Sequence, residues 1–236
     1  MNLNMLLAST SKIFNSSYLG YIKEEIEELF RDTDEILFIP LARPGGISYS
    51  DYTKKARTFF HSIDKDCISI MEYEQPLNAI REAKGIFTGG GNTFLLLKTL
   101  YELDLIKPLK EKIENGCPYL GTSAGSNICG LNIKTTNDMP IVYPPSFDAL
   151  GVVPYVINPH FVDKQEGEEH QGETRTTRIK EYLTQNNTPV IALPEGTWIR
   201  IKQGKSEIDG DRSALLFTAD TIEKILPGTS LDQLLK

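Results

Sequence analysis

The first half of the chain alternates short apolar segments with amphipathic ones, and this alternation limits the folds that it can adopt. Apolar segments with the length of buried strands lie at residues 4–9, 35–41, 67–71, 85–88 and 118–120. Segments between them, such as 18–30 and 105–114, carry apolar residues at helical spacing. Strands that alternate with helices form parallel βαβ units. We therefore predict an α/β fold, in which a mostly parallel sheet has helices on both faces.

The second half is less regular. It predicts strands at residues 151–157 and 189–193, a helix at 174–183 and a β-ribbon within 197–217. No segment resembles a linker, and a length of 236 residues suits one large α/β domain. We expect a single domain over residues 1–236. In the first half, Asp51 is predicted to be the N-cap of a helix that extends to Phe60.

Two glycine-rich segments follow predicted strands at the edge of the sheet where α/β sites usually lie. Residues 121–125 read Gly-Thr-Ser-Ala-Gly and match G-x-S-x-G, which holds a serine on a strained turn between a strand and a helix. Small neighbours let the following helix pass close to the serine. Such short patterns also arise by chance, so Ser123 is a candidate nucleophile, with a simple glycine-rich turn as the alternative.

A serine nucleophile needs a base, and the chain has three histidines. His61 ends an amphipathic helix and is interpreted as a surface or packing residue. His170 lies in a polar loop, where a solvated role is expected. His160 follows a predicted strand and is preceded by Pro159, which restricts the backbone beside it. We take His160 as the candidate base, with a structural histidine as the alternative.

Two carboxylates are candidates for the group that orients the histidine. Asp138 lies in a loop between Ser123 and His160, and Glu195 lies at the end of a later strand. Either side chain has the chemistry to accept a hydrogen bond from Nδ1 and to stabilise the imidazolium cation. The alternatives are a loop cap for Asp138 and a surface carboxylate for Glu195, so the acid stays open at this point.

Acyl transfer also needs N–H donors for the developing oxyanion. The backbone N–H of Ala124, directly after the serine, is the usual first donor. The glycines at residues 89–91 are candidates for the second donor, because glycine lets the backbone approach a substrate closely. A phosphate-binding loop is the competing interpretation. The absence of G-x-G-x-x-G, or of GK[ST] after the glycines, weakens it.

Composition excludes several classes of function. The formal net charge of −7 disfavours a nucleic-acid partner, and no apolar segment approaches the ~20 residues of a membrane span. The N-terminus lacks the pattern of a secretory signal. Cys67, Cys117 and Cys129 have no CxxC spacing and are predicted to be buried thiols in a reducing cytoplasm.

Six blocks of sequence together resemble peptidase E, a group of aspartyl dipeptidases within the S51 serine peptidases. The blocks lie at residues 88–94, 121–125, 135–142, 158–161, 172–175 and 193–196. They cover most of the chain in the same order as in the family. The resemblance implies a cytoplasmic serine peptidase that cleaves dipeptides with an N-terminal aspartate. It also implies a flavodoxin-like fold similar to class I glutamine amidotransferases, and no metal or other cofactor.

The resemblance also implies roles for individual residues: Ser123 as nucleophile, His160 as base, Asp138 or Glu195 as the acid, the N–H groups of Gly91 and Ala124 as oxyanion donors, and Arg175 as the residue that recognises the substrate aspartate. A guanidinium suits that last role because its planar fork binds a carboxylate through two hydrogen bonds. Acidic residues such as Glu166, Glu168 or Glu169 are candidates to receive the substrate amine.

Some features depart from the family or leave other functions open. Residues 162–171 do not follow the family sequence, and Thr122 and Ser126 differ from its usual residues. The loop is expected to close a shallow pocket that favours short peptides. The alternatives are a related S51 hydrolase, either cyanophycinase-like or an isoaspartyl peptidase, a general esterase, or a non-catalytic binding protein of the same fold. We expect a monomer or a homodimer.

Overall fold

A computed structural model describes residues 2–162 and 173–233 of the protein. Its strands are β1 (Asn4–Ala8), β2 (Glu35–Ile39), β3 (Asp66–Ser69), β4 (Ile86–Thr88), β5 (Tyr119–Thr122), β6 (Val156–Pro159), β7 (Val190–Leu193), β8 (Thr197–Lys202), β9 (Lys205–Gly210), β10 (Ala214–Phe217), β11 (Ile222–Ile225) and β12 (Thr229–Ser230). Its α-helices are α1 (Lys23–Leu29), α2 (Tyr49–His61), α3 (Pro76–Glu82), α4 (Thr93–Glu102), α5 (Ile106–Glu114), α6 (Ala124–Asn127) and α7 (Arg175–Leu183). Short 3-10 helices lie at Gly20–Ile22, Ile70–Glu72 and Leu231–Gln233.

The main sheet has eight strands in the order β12-β9-β8-β1-β5-β4-β2-β3. Strands β1, β5, β4, β2 and β3 are parallel, whereas β8, β9 and β12 extend the sheet through antiparallel pairs. The predicted α/β class is confirmed, and the predicted β-ribbon corresponds to β8 and β9. The carboxyl ends of β1, β2, β4 and β5 lie at one edge of the sheet.

A second sheet has the strand order β11-β10-β7-β6 and was not predicted. In it β6 and β7 are parallel, and Pro159 is in register with Leu193. The remaining pairs are antiparallel. Because β6 and β7 end side by side, the residues that follow them emerge at neighbouring positions.

The alternation of side chains along the strands divides the core into layers. Leu6 of β1 and Phe38 of β2 belong to a cluster that is covered by α1 and α2. Met5 and Leu7 face the opposite side, where α3, α4 and α5 pack together with part of the second sheet. Helix α7 packs against the other face of the second sheet. Helices on both faces keep the parallel strands out of water, as such sheets require.

Two local predictions are corrected by the structure. Helix α2 begins at Tyr49 after Ser48, whose hydroxyl accepts the N–H of Asp51, so Ser48 and not Asp51 is the N-cap. The strand predicted at residues 151–157 begins only at Val156. Within the residues that the structure describes, no helix combines the length and the apolar character that crossing a membrane requires.

Candidate active site

Ser123 lies on the turn that joins β5 to α6. Its φ of 54° and ψ of −113° are strained for a residue with a side chain. The N–H of Ser123 donates to the carbonyl of Ala8, which ties this turn to the end of β1. Helix α6 packs closely against the end of β4, since a Cβ on Gly125 would lie 2.1 Å from the carbonyl oxygen of Thr88. The backbone thus has the elbow conformation that the sequence predicts.

His160 follows β6 and also has a positive φ, of 53°. Its Nε2 lies 2.9 Å from Oγ of Ser123, and its Nδ1 lies 2.8 Å from Oε1 of Glu195. Glu195 follows β7, the strand paired with β6. The side chains of His160 and Glu195 are 35% and 49% exposed, so substrate and solvent can reach the pair. A hydroxyl, an imidazole and a carboxylate are therefore connected in the order that nucleophilic catalysis by serine requires.

Asp138 has different partners. Its Oδ2 accepts the N–H of Thr93 at 2.7 Å, at the start of α4, and the hydroxyl of Thr136 at 3.3 Å. A carboxylate at this end of a helix is favoured by the helix dipole. Among the described residues, the imidazole of His160 contacts Glu195 and not Asp138. The structure brings one of the two predicted carboxylates to the histidine.

The backbone of residues 89–92 supplies one N–H group without an acceptor. The N–H groups of Gly89, Gly90 and Asn92 all donate within the fold. In the part of the chain that the structure describes, the N–H of Gly91 donates to no acceptor, and neither does that of Ala124. Two N–H groups that lack an acceptor among the described residues, beside the candidate nucleophile, are suited to bind a developing oxyanion.

Comparison with known proteins agrees with this geometry. The model of peptidase family S51 matches residues 5–208. The chain belongs to peptidase family S51. This finding confirms the predicted family and, with it, the prediction of a peptidase. A Drosophila melanogaster relative named "probable alpha-aspartyl dipeptidase" is 40% identical and covers 99% of this chain and 98% of its own length.

Further relatives show that this S51 chain is matched along its full length. Peptidase E of Shewanella amazonensis is 42% identical to it, with 100% of both chains covered. The crystal structure of a peptidase from an acI-B1 Actinobacterium superposes with a TM-score of 0.72 over 98% of this chain and 96% of its own. Because that identity is 16%, the likeness concerns the fold alone, and it agrees with the predicted fold class.

In this S51 chain, Arg175 is the first residue of α7. Its Nη1 is buried and has no hydrogen-bond partner among the described residues. Burial, and then the positive charge of Arg178, lowers the pKa of Arg175, while the carboxylates of Glu195 and Asp138 act in the opposite direction. Arg175 therefore lies close enough to Glu195 to sense its charge. A half-buried guanidinium with an unpaired donor is suited to bind a carboxylate.

Sequence reasoning missed Ser9, which is fully buried at the end of β1. Its Oγ accepts the N–H of His160 at 2.9 Å and donates to the carbonyl of Leu193 at 2.8 Å. One hydroxyl thus joins the backbone of His160 to the strand that precedes Glu195. The only signal was its position at a strand end on the same edge as Ser123.

Several predicted features lie outside the described residues. They are Glu166, Glu168 and Glu169, the candidates for the substrate amine, together with His170 and most of the predicted 162–171 loop. In the described ranges, no group of three or more His, Cys, Asp and Glu side chains has an arrangement that would hold a metal ion.

Proposed function

We propose that this chain is a serine dipeptidase that hydrolyses dipeptides with an N-terminal aspartate, as a single catalytic domain over residues 1–236. The observation that supports this most strongly is the connection of Ser123, His160 and Glu195 by contacts of 2.9 and 2.8 Å in a chain of family S51. Distances in this range allow direct proton transfer between hydroxyl and imidazole.

In the proposed reaction, His160 accepts the proton of Ser123 as Oγ attacks the scissile carbonyl carbon. The negative charge on the carbonyl oxygen is stabilised by the N–H groups of Gly91 and Ala124. His160 then donates its proton to the leaving amine, which departs and leaves an acyl-enzyme. Water, deprotonated by His160, attacks the ester, and Oγ regains its proton as aspartate is released.

We assign the orienting carboxylate to Glu195. Its hydrogen bond to Nδ1 keeps Nε2 free to accept the proton of Ser123, and its charge stabilises the imidazolium that forms. Asp138 is occupied by the N–H of Thr93 and is assigned a structural role at the start of α4.

Arg175 is proposed to bind the side-chain carboxylate of the substrate aspartate. Its buried Nη1, which has no hydrogen-bond partner among the described residues, supports this role, as does the name of the Drosophila relative, "probable alpha-aspartyl dipeptidase". The substrate amine is assigned to Glu166, Glu168 or Glu169, which lie outside the described residues. The cysteines are free thiols, which supports a cytoplasmic enzyme, and it would act as a monomer or a homodimer.

The decisive experiment is a substrate panel of α-Asp-Leu, β-Asp-Arg, Leu-Leu and an activated ester. We expect turnover of α-Asp-Leu, and a loss of at least ~10³-fold in kcat for Ser123→Ala. Arg175→Met should lower kcat/KM for α-Asp-Leu about 100-fold, because charge-assisted hydrogen bonds are lost. Arg178→Met is the matched control on the same helix, since Arg178 is 63% exposed, and it should stay within about twofold of wild type.

Each rival function has its own signature in this panel. Preferred cleavage of β-Asp-Arg would support a cyanophycinase-like or isoaspartyl activity, and equal rates on α-Asp-Leu and Leu-Leu would remove the role of Arg175. Turnover of the ester alone would indicate a general esterase. If a fluorophosphonate did not label Ser123 and no substrate were cleaved, the chain would be a binding protein.

A further inference from the structure

Two cations lie over a pair of tyrosine rings next to the glycine loop of the candidate site. The guanidinium of Arg43 lies 4.3 Å from the ring centroid of Tyr52, and Nζ of Lys55 lies 4.7 Å from that of Tyr18. The two rings are in edge-to-face contact at 6.4 Å. The tyrosines thus form a common platform that holds both cations by cation–π attraction.

Arg43 and Lys55, together with Lys12, form a basic cluster. Among the described residues, none of the three makes an ion pair, although the chain contains 32 acidic residues and 25 basic ones. Burial, and then the charges of Arg43 and Lys12, lowers the pKa of Lys55. Nε of Arg43 is buried and has no hydrogen-bond partner in the described ranges. Like charges that are held together without a counter-ion favour the binding of an anion.

The basic cluster is linked to the candidate nucleophile through Tyr52 and Gly90. The hydroxyl of Tyr52, whose ring carries Arg43, accepts the N–H of Gly90 at 2.9 Å. Gly90 in turn packs against the nucleophile, since a Cβ on it would lie 2.9 Å from Cβ of Ser123. Arg43 directly follows Ala42. The carbonyl of Ala42 accepts the N–H of Asn92, which comes directly after the glycines at residues 89–91. One tyrosine and one glycine therefore separate the cluster from the reacting serine.

Arg175 belongs to a different part of the site. Arg175 is the first residue of α7, whereas Arg43 follows β2 and Lys55 lies on α2. Arg175 and the basic cluster are thus carried by different elements of the fold.

The proposed substrate also carries two carboxylates, the aspartate side chain and the C-terminal α-carboxylate. In a dipeptide, the α-carboxylate carbon lies three bonds beyond the scissile carbonyl carbon, within about 4 Å of it. A group that binds it must therefore reach the surroundings of Ser123, to which the basic cluster is linked through Tyr52 and Gly90. We propose that Arg43 and Lys55, assisted by Lys12, bind the C-terminal carboxylate of the dipeptide; this inference rests on the proposed function.

Such a site explains a preference for dipeptides by charge as well as by size. A longer peptide or a C-terminal amide places a neutral group at the position where the basic cluster would bind a carboxylate. The cations then stay unpaired and partly desolvated, which is unfavourable. Because the α-carboxylate departs with the leaving amino acid, the cluster acts in binding and orienting the substrate and in no proton transfer.

The test compares two substrates that differ only in this charge, α-Asp-Leu and α-Asp-leucinamide. Wild-type protein should show a kcat/KM at least ~10-fold higher for the free acid. Arg43→Met, which keeps an apolar stem over Tyr52, should lower kcat/KM for α-Asp-Leu about 10- to 100-fold. It should leave α-Asp-leucinamide within about twofold, and Arg43→Lys should restore part of the preference. The matched control is Lys54→Met, because Lys54 is paired with Asp51 and 71% exposed.

The outcomes separate the carboxylate site from the proposed function. Equal wild-type kcat/KM on the two substrates would overturn the carboxylate site while leaving the dipeptidase intact. An equal loss on both substrates in Arg43→Met would also overturn it, since a structural role moves both. If the wild type cleaved neither substrate, the proposed function and the carboxylate site would both fall. Thermal unfolding of each variant, measured in parallel, serves as the independent measure of correct folding.

Discussion

The assignment of the orienting acid is tested by comparing Glu195→Gln with Asp138→Asn. Both changes replace a carboxylate by an amide of nearly the same shape, so they remove charge with little change in packing. Glu195→Gln removes the anion that lies 2.8 Å from Nδ1 of His160. It also allows the amide to present its NH₂ group, which favours the wrong tautomer of the imidazole.

The magnitude follows from the exposure of the pair. Two unit charges about 4 Å apart attract by about 1 kcal/mol in bulk water and by about 4 kcal/mol near a protein surface. The side chains of His160 and Glu195 are 35% and 49% exposed, so their coupling belongs in this range. At about 1.4 kcal/mol for each factor of ten, kcat should fall roughly 5- to 1,000-fold. This is less than the ~10⁴-fold loss observed where the orienting carboxylate is buried.

Asp138→Asn should have a small effect. The Oδ1 atom of asparagine still accepts the N–H of Thr93, as amide oxygens commonly do at helix N-termini. Only the interaction with the helix dipole is lost, which is worth about 0.3–1 kcal/mol of stability. We expect kcat within about threefold of wild type.

The assay is the initial rate of leucine release from α-Asp-Leu at saturating substrate, with thermal unfolding of each variant measured in parallel. Labelling by a fluorophosphonate gives an independent measure of the reactivity of Ser123. A larger loss of kcat in Asp138→Asn than in Glu195→Gln would refute the assignment of Glu195. If both variants kept kcat within about threefold, no carboxylate would orient His160, and the argument from the hydrogen bond would be wrong.

Two further predictions concern the backbone around the site. Ser9→Ala removes the hydroxyl that accepts the N–H of His160, so we expect kcat to fall about 10- to 100-fold at unchanged KM. The control Ser69→Ala, at another buried serine, should lower the melting temperature without this loss of kcat. Equal kcat in the two variants would contradict the role of Ser9. Gly91→Ala should lower kcat about 10²- to 10³-fold, because its Cβ would lie 2.1 Å from the carbonyl oxygen of Ala42 at a φ of +149°. A folded Gly91→Ala variant that kept more than a tenth of wild-type kcat would argue against Gly91 as an oxyanion donor.

The elements near the nucleophile could be predicted because their signals are local. The pattern at residues 121–125 requires small residues around a strained serine, and the structure has Ser123 at a φ of 54°. Likewise, α5 ends at Glu114, the last residue of the predicted helical segment 105–114. In these cases the residues that form the sequence pattern also form the local structure, so the structure can be predicted from neighbouring residues alone.

Other features depend on contacts between distant segments. The second sheet was not predicted, because short strands take their neighbours from the packing of the whole chain. Lys12, Arg43 and Lys55 each look like ordinary surface cations in the sequence. The basic cluster exists only because two tyrosines bring Arg43 and Lys55 together.

By itself, the sequence determined the α/β class, the family and the serine elbow, since each rests on short patterns in a fixed order. Tertiary structure alone distinguished Glu195 from Asp138 at the imidazole. Glu195 reaches His160 because β6 and β7 pair in register, with Pro159 opposite Leu193. Asp138 is instead held by an N–H of α4. The hydrogen bond between His160 and Glu195 joins residues 35 positions apart along the chain. No local sequence pattern determines which carboxylate lies next to the histidine after folding.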